Sequence, residues 1–175
     1  MITLKGEHIS LRALEPEDLS FLFATENDEN FWEVSHTQTP FSRYILKQYL
    51  ENSHLDIYEA KQLRLVIQHN QTNLSVGMID LFDFNPQHKR AGIGVLIQKE
   101  HQQNGFATEA LQLIIKYSFF HLHLHQLYAN ITSDNVNSLQ LFKKNNFTEV
   151  GIKKDWIVTA NGFKDEVLLQ LIHEK

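Results

Sequence analysis

Cysteine is absent from the 175 residues, which excludes disulfides, thiolate nucleophiles and Cys-ligated metals together. No apolar run approaches the roughly 20 residues that a membrane-spanning helix needs, and the opening stretch MITLKGEHISLR has no signal-peptide core. Positive charge is also scarce. Against 21 Asp and Glu stand 16 Lys and Arg, a net charge of -5, which argues against a surface built to grip nucleic acid phosphates. No internal repeat, linker or low-complexity segment divides the chain. These absences lead to the expectation of one cytoplasmic domain over residues 1–175, long enough for a full core and acting on neither nucleic acid nor membrane.

What is present is a readable alternation of strand and helix signals. ISLRAL (9–14) alternates as a strand, and EPEDLSFLFATEN follows with Pro16 and two acids in the first turn of a helix, Leu19, Leu22 and Phe23 facing inward. Residues 27–61 carry a weaker pattern. Pro40 and Ser42 open a helix through RYILKQYLEN, with Ile45 and Tyr49 packed inward. QLRLVIQ and SVGMIDLFDF read as strands joined by the polar turn HNQTN, and AGIGVLIQ as a third after NPQHKR. Then come a helix from Gly105, the strand LYANIT, a helix over about 135–145, and two strands flanking the hairpin signal Ala160-Asn161-Gly162. Hairpins mixed with strand-helix-strand crossovers predict an α+β domain, a mixed sheet with helices on both faces.

The stretch GIGVLIQKEHQQNGFATEAL passes from strand to helix through a short polar turn. The first N–H groups of a helix lack intrahelical partners and attract anions, and a glycine lets a phosphate approach closely. QQNGFA therefore suits a pyrophosphate, although it matches neither the P-loop nor the dinucleotide fingerprint, and an ordinary strand-to-helix turn would look the same. Gly92 and Gly94 lie inside the preceding strand, where glycine marks a bulge or a close backbone approach. A bulge there would splay this strand from LYANIT and free N–H and C=O groups for an extended, amide-bearing ligand.

Gln102-x-x-Gly105-x-Ala107 resembles the Q/R-x-x-G-x-G/A signature of the GNAT superfamily of acetyl-CoA-dependent N-acetyltransferases. SDNVNSLQLFKKNNF is similar to that family's N-x-x-[SA] helix followed by K-x-G-F, and the order of elements agrees along nearly the whole chain. RLVIQ, HKRAGIGVLI and HQQNGFATEAL look most like segments of the spermidine N-acetyltransferases, with the ribosomal-protein alanine N-acetyltransferases also similar. The resemblance implies a sheet splayed between two parallel strands, acetyl-CoA as cosubstrate, and direct attack by a primary amine, small and polyamine-like or a protein N-terminus. It implies that backbone groups of Val95, Leu96 and Ile97 pair with the pantetheine arm. Gln102, Gln103, Asn104, Gly105, Phe106, Ala107 and Thr108 would hold the pyrophosphate. Asn135 would bond the pantetheine through its side chain, with Ser138 one turn on, and a backbone N–H near Leu96 would polarise the thioester carbonyl.

One departure stands out. Where many of these enzymes place a tyrosine as acid to the leaving thiolate, this chain has Phe142, which has no proton to give. Catalysis without a side-chain acid, substitution by Tyr128 or Ser138, and a non-catalytic acetyl-CoA-binding module all remain open on this pattern, the first being preferred because holding amine and thioester together can itself remove a large share of the barrier. For the proton lost by the amine, Asp83 matches a polyamine-binding acid of the spermidine enzymes, whereas another such acid is matched by Gly92. Asp80 and Asp83, three apart, would face opposite sides of a regular strand. Glu33, in the segment expected to cover the acceptor site, is a further candidate, and Phe31 and Trp32 would be core or acceptor-site wall. The run HLHLH (His121, His123, His125) falls at a helix end, where shared ligation of a metal fails, so no metal site is expected. A homodimer is compatible with the chain.

Overall fold

The computed structural model describes residues 4–174, so residues 1–3 and 175, the ends of the expected 1–175 domain, lie outside the described residues. Strand β1 (Ile9–Arg12) alternates strictly, with Ile9 and Leu11 buried and Ser10 and Arg12 outward. Pro16 then sets the first φ of a short 3-10 turn leading into α1 (Leu19–Glu26), where Leu22 is buried and Leu19 and Phe23 half-buried. Three short helices fill the weakly patterned segment: α2 (Glu29–Ser35), α3 (Arg43–Glu51) and α4 (Ile57–Ala60). Only α3 was legible in the sequence. Its N-cap is Ser42, whose hydroxyl accepts from the Ile45 N–H at 3.2 Å. The inward face is Leu46 and Leu50 with Tyr49 half-buried, while Ile45, expected inside, is 48% exposed. The cap fixes the helix's rotation one position away from the expected face.

The remaining elements are β2 (Leu63–His69), β3 (Ser75–Asn85), β4 (Arg90–Ile97), α5 (Phe106–Phe120), β5 (Gln126–Thr132), α6 (Val136–Lys144), β6 (Thr148–Thr159) and β7 (Gly162–Ile172). They build one seven-stranded sheet in the order β1-β2-β3-β4-β5-β7-β6. Among the described residues only β4 and β5 pair in parallel. Neighbouring residues divide between the faces with the period of two that a strand imposes. Val66 and Met78 pack with Leu22, Leu46 and Leu50 under α1 and α3. Ile67 and Ile79 belong to the larger core with Ala110, Leu111, Ile114 and Phe142 of α5 and α6. At Gly77, β3 runs so close to β4 that an added Cβ would overlap the Leu96 carbonyl oxygen.

Arg12 locks α1 to the sheet edge. Its guanidinium grips both oxygens of buried Asp18 at 2.8 Å, and Asp18 also accepts the Glu15 N–H at 2.8 Å. Burial alone would raise the Asp18 pKa, but Arg12 and the Glu15 amide outweigh it and hold the carboxyl below its ordinary value of 3.8. A depressed carboxyl contributes stability that is complete above the unfolded value and is lost as pH falls through the folded one. Thermal unfolding followed from about pH 6 to about pH 3 should therefore show Tm falling below about pH 4. The slope should flatten in Asp18→Asn; an unchanged slope would remove Asp18 as its source.

Candidate active site

The centre of the sheet is opened by an incomplete strand pair. β4 and β5 pair only at Arg90–Gln126, Ala91–Leu127 and Gly92–Tyr128. Beyond Gly92 each strand stays paired to its outer neighbour, β4 to β3 as far as Ile97 and β5 to β7 as far as Thr132. The result is a wedge between parallel strands, as expected, but its cause differs from the expected bulge at Gly92 and Gly94. The β3–β4 register is constant from Gly77–Ile97 to Phe82–Gly92, and the extra residue lies on β3, between Phe82 and Asn85, where Asp83 has φ 47°. Gly92 is needed for another reason. The Phe82 ring lies over its Cα, where a Cβ would collide with it, and meets the Tyr128 ring edge-on at 5.9 Å.

Backbone groups on the open edge follow from strand alternation. The Gln98 N–H donates to the Val76 carbonyl at 2.9 Å, which sets the ladder between β3 and β4. Counting back by two, Leu96 and Gly94 turn their N–H and C=O toward β3, whereas Ile93, Val95 and Ile97 turn theirs into the wedge. Two contacts agree: the Leu96 carbonyl lies against Gly77, and the Ile97 carbonyl accepts from Gln102 Nε2 at 3.0 Å. The amide expected at Leu96 is thus in the ladder, and its neighbours Val95 and Ile97 carry the free edge. A narrow cavity of about 60 Å³ within the wedge is bordered by Ile93, Val95, Asn130, Phe142, Glu166 and Glu33.

At the end of β4 the chain turns through two left-handed residues, Gln103 at φ 63° and Gly105 at φ 77°, before α5 begins. The first bond of that helix runs from the Glu109 N–H to the Gly105 carbonyl at 3.1 Å. None of the six N–H groups from Gln103 to Thr108 donates to an acceptor among the described residues. Nothing lies within 4 Å of where a Gly105 Cβ would stand, so the approach is open. Six consecutive unspent amides at the positive end of a fifteen-residue helix fit a diphosphate.

On the β5 side, Asn135 caps α6. Its Oδ1 accepts from the Ser138 N–H at 3.2 Å, which leaves the Nδ2 donor for the wedge. Phe142, two turns on, is 3% exposed and packs edge-on against Phe147 at 5.0 Å. Tyr128 lies at the root of the wedge with its hydroxyl donating to Asp83 at 3.4 Å, and burial first, then Asp83, raise its pKa, so the phenol stays protonated at neutral pH.

The acids fall into separate places. Glu33, on α2, borders the wedge cavity and takes the ammonium of Lys164, which Asp134 also holds at 2.7 Å. Asp134 first and then Glu33 raise the Lys164 pKa, and the same bond lowers that of Asp134. Asp83 sits beside Tyr128 and does not border that cavity. Asp80 is committed elsewhere, to a two-pronged pair with Arg64 at 2.8 and 2.7 Å that Glu26 completes. Glu166 was missed. It is 4% exposed on β7, borders the cavity, and bonds Lys153 at 3.0 Å, with Asn130 receiving the same ammonium at 3.1 Å. A carboxylate inside the apolar run DEVLLQLI was the available signal. His121 of the HLHLH run stacks on Tyr117 at the end of α5, at 4.9 Å.

Comparison with known proteins agrees with this geometry. A family model described as an acetyltransferase (GNAT) domain matches residues 8–148. A spermidine N(1)-acetyltransferase of Vibrio cholerae is 31% identical over 173 residues, covering 97% of this chain and 96% of the relative. The crystal structure of a Vibrio cholerae spermidine N-acetyltransferase in complex with CoA and spermine superposes with a TM-score of 0.84 at 26% identity, covering 95% and 96% of the two chains. A dodecameric structure of that enzyme gives 0.80 at 26% identity, covering 95% of each.

Proposed function

The chain belongs to the GNAT family of acetyltransferases, and from that membership and the wedge we propose how its residues carry out N-acetylation. It is an N-acetyltransferase that uses acetyl-CoA, the thioester supplying the acyl carbon that a primary amine attacks directly in a ternary complex. The single observation carrying the residue assignments is the free edge of β4 from Ile93 to Ile97, followed after the 3-10 turn Lys99–His101 by the unspent amides of Gln103 to Thr108. Val95 and Ile97 bond the pantetheine as an added strand would, joined across the wedge by Asn135 and flanked by Ser138. Gln102 positions the turn through Ile97, and Gln103, Asn104, Gly105, Phe106, Ala107 and Thr108 receive the diphosphate. The Val95 N–H, taking the role expected of an amide near Leu96, polarises the carbonyl and stabilises the charge that develops there.

Glu33 receives the proton that the ammonium must lose, and Asp83 stabilises the incoming positive charge at the root of the wedge. Phe142 gives no proton and serves as a wall. A thiolate needs no side-chain acid to leave, and holding amine and thioester together supplies much of the rate. The acceptor is a small amine, as for the spermidine enzymes, or a protein N-terminus. Assembly into homodimers or larger oligomers and a cytoplasmic location for the 1–175 domain complete the reading.

Release of free CoA thiol against a panel of polyamines, monoamines and peptide N-termini tests it. Glu33→Gln should lower kcat/KM roughly 100-fold, mostly through kcat, with acetyl-CoA affinity unchanged. Retained activity would assign the proton to another group. Tight acetyl-CoA binding without any acetylated product would favour the non-catalytic alternative.

A further inference from the structure

The acceptor face of the wedge root is aromatic. Phe82, Gly92, Gly94, Tyr128 and Asn130 share the sheet face away from α5, by the alternation of their strands. At Gly92 there is no carboxylate and no room for one, because the Phe82 ring lies there. That ring meets Tyr128 edge-on at 5.9 Å. Above Gly94 the space is open, since the nearest atom to an added Cβ is the rim of the same Phe82 ring at 4.0 Å. The Phe82 and Tyr128 rings, with the open backbone of Gly94 beside them, make an apolar floor of the kind on which another ring or a branched alkyl group packs.

The carboxylates around that floor already hold internal cations. Arg64 joins Asp80 and Glu26, Lys164 joins Glu33 and Asp134, and Lys153 holds Glu166. Asp83 differs, with the neutral Tyr128 hydroxyl as its partner. A ligand with several ammonium groups spread along a flexible chain needs several acids, and here it would have to displace Lys164 or Arg64 to reach them. A ligand with one ammonium needs only Asp83, whose partner is uncharged.

We propose that the acceptor is a primary amine bearing a single positive charge on an aromatic or branched apolar body that packs on the Phe82–Tyr128 floor. This inference rests on the N-acetyltransferase reading and narrows its substrate class away from polycations. It makes Lys164 a specificity-determining residue, a built-in cation that occupies the acids a polyamine would need.

The experiment uses the full chain, acetyl-CoA, and thiol release with 2-phenylethylamine, spermidine and spermine as probes. The expected result is a kcat/KM for 2-phenylethylamine at least about 10-fold above that for spermine, a difference of about 1.4 kcal/mol. Lys164→Gln frees Glu33 and Asp134, so the ratio of spermine to 2-phenylethylamine turnover should rise about 5-fold or more. Phe82→Ala should raise KM for 2-phenylethylamine more than for spermine. Preference of the unmodified chain for spermidine or spermine would overturn the proposal, as would a ratio that Lys164→Gln leaves in place. Failure to acetylate any amine, with acetyl-CoA bound, would instead overturn the N-acetyltransferase reading beneath it.

Discussion

Gly105→Glu should weaken acetyl-CoA binding by about 100-fold, close to 3 kcal/mol. Two effects point the same way. Gly105 has φ 77°, a conformation that costs an ordinary side chain about 1 kcal/mol. The new carboxylate would also stand in the open space where six N–H groups converge, competing for them and repelling a diphosphate. Gly105→Asn separates the two, because asparagine tolerates the left-handed region and brings no charge. It should lose only a few-fold in affinity and keep near-wild-type melting behaviour, whereas Gly105→Glu should melt a few degrees lower from the backbone strain alone, since its added atoms meet no neighbour. Titration calorimetry with acetyl-CoA reads both. Equal affinity for Gly105→Glu and the unmodified chain would place the diphosphate elsewhere.

Gly77→Ala should cost more in stability than any other single methyl addition to this sheet, on the order of 3 kcal/mol. The obstacle is a backbone oxygen, that of Leu96, which cannot rotate away as a side chain can. Relief requires β3 and β4 to separate or β4 to shift along the pair, and β4 carries the free edge of the wedge. For a chain of this length that loss lowers Tm by roughly 10 °C. Activity measured below the new Tm should fall as well, because the Val95 and Ile97 amides move with the strand. Gly92→Ala is the contrasting case, since its obstacle is the Phe82 ring, half-buried and able to turn. Near-equal melting temperatures for the two variants would show that β4 yields more easily than this packing implies.

The fold was legible where burial and periodicity coincide. Strands β2 to β7 were anticipated within one residue, β1 ends two residues earlier than expected, and α3, α5 and α6 were anticipated, while α1 begins at Leu19, three residues past the expected start at Pro16. β6 buries no residue and was marked instead by its hairpin with β7. Apart from α3, the segment 27–61 was not anticipated, and the reason is visible in α2. This helix has no buried residue, so it carries no apolar stripe for a sequence to display. It is held instead by its Asp28 cap and by Glu33 reaching Lys164, 131 residues away. Such a partner is invisible in local pattern. The wedge was anticipated from two glycines, yet their reason was misread. Strand pattern does not report that Phe82 lies over Gly92, nor that the bulge falls at Asp83. The one-residue shift from Leu96 to Val95 and Ile97 has a similar origin, since the direction of a backbone amide depends on pairing partners rather than on residue type. Glu166 was passed over because acids in a strand are usually solvated, and only the β6 partner Lys153 shows that this one is enclosed.

Three rungs hold the two halves of the sheet together at its middle: β1 to β4 form one panel, and β5 to β7 the other. Along that seam the two panels are bonded at the Phe82–Tyr128 end and unbonded toward Ile97 and Thr132. A long amide-bearing molecule laid along the unbonded edge would supply the rungs the strands lack and turn two panels into one rigid plate. Loading the first substrate would then also tighten the second substrate's site, so that the order in which the two arrive is written into the architecture of the sheet.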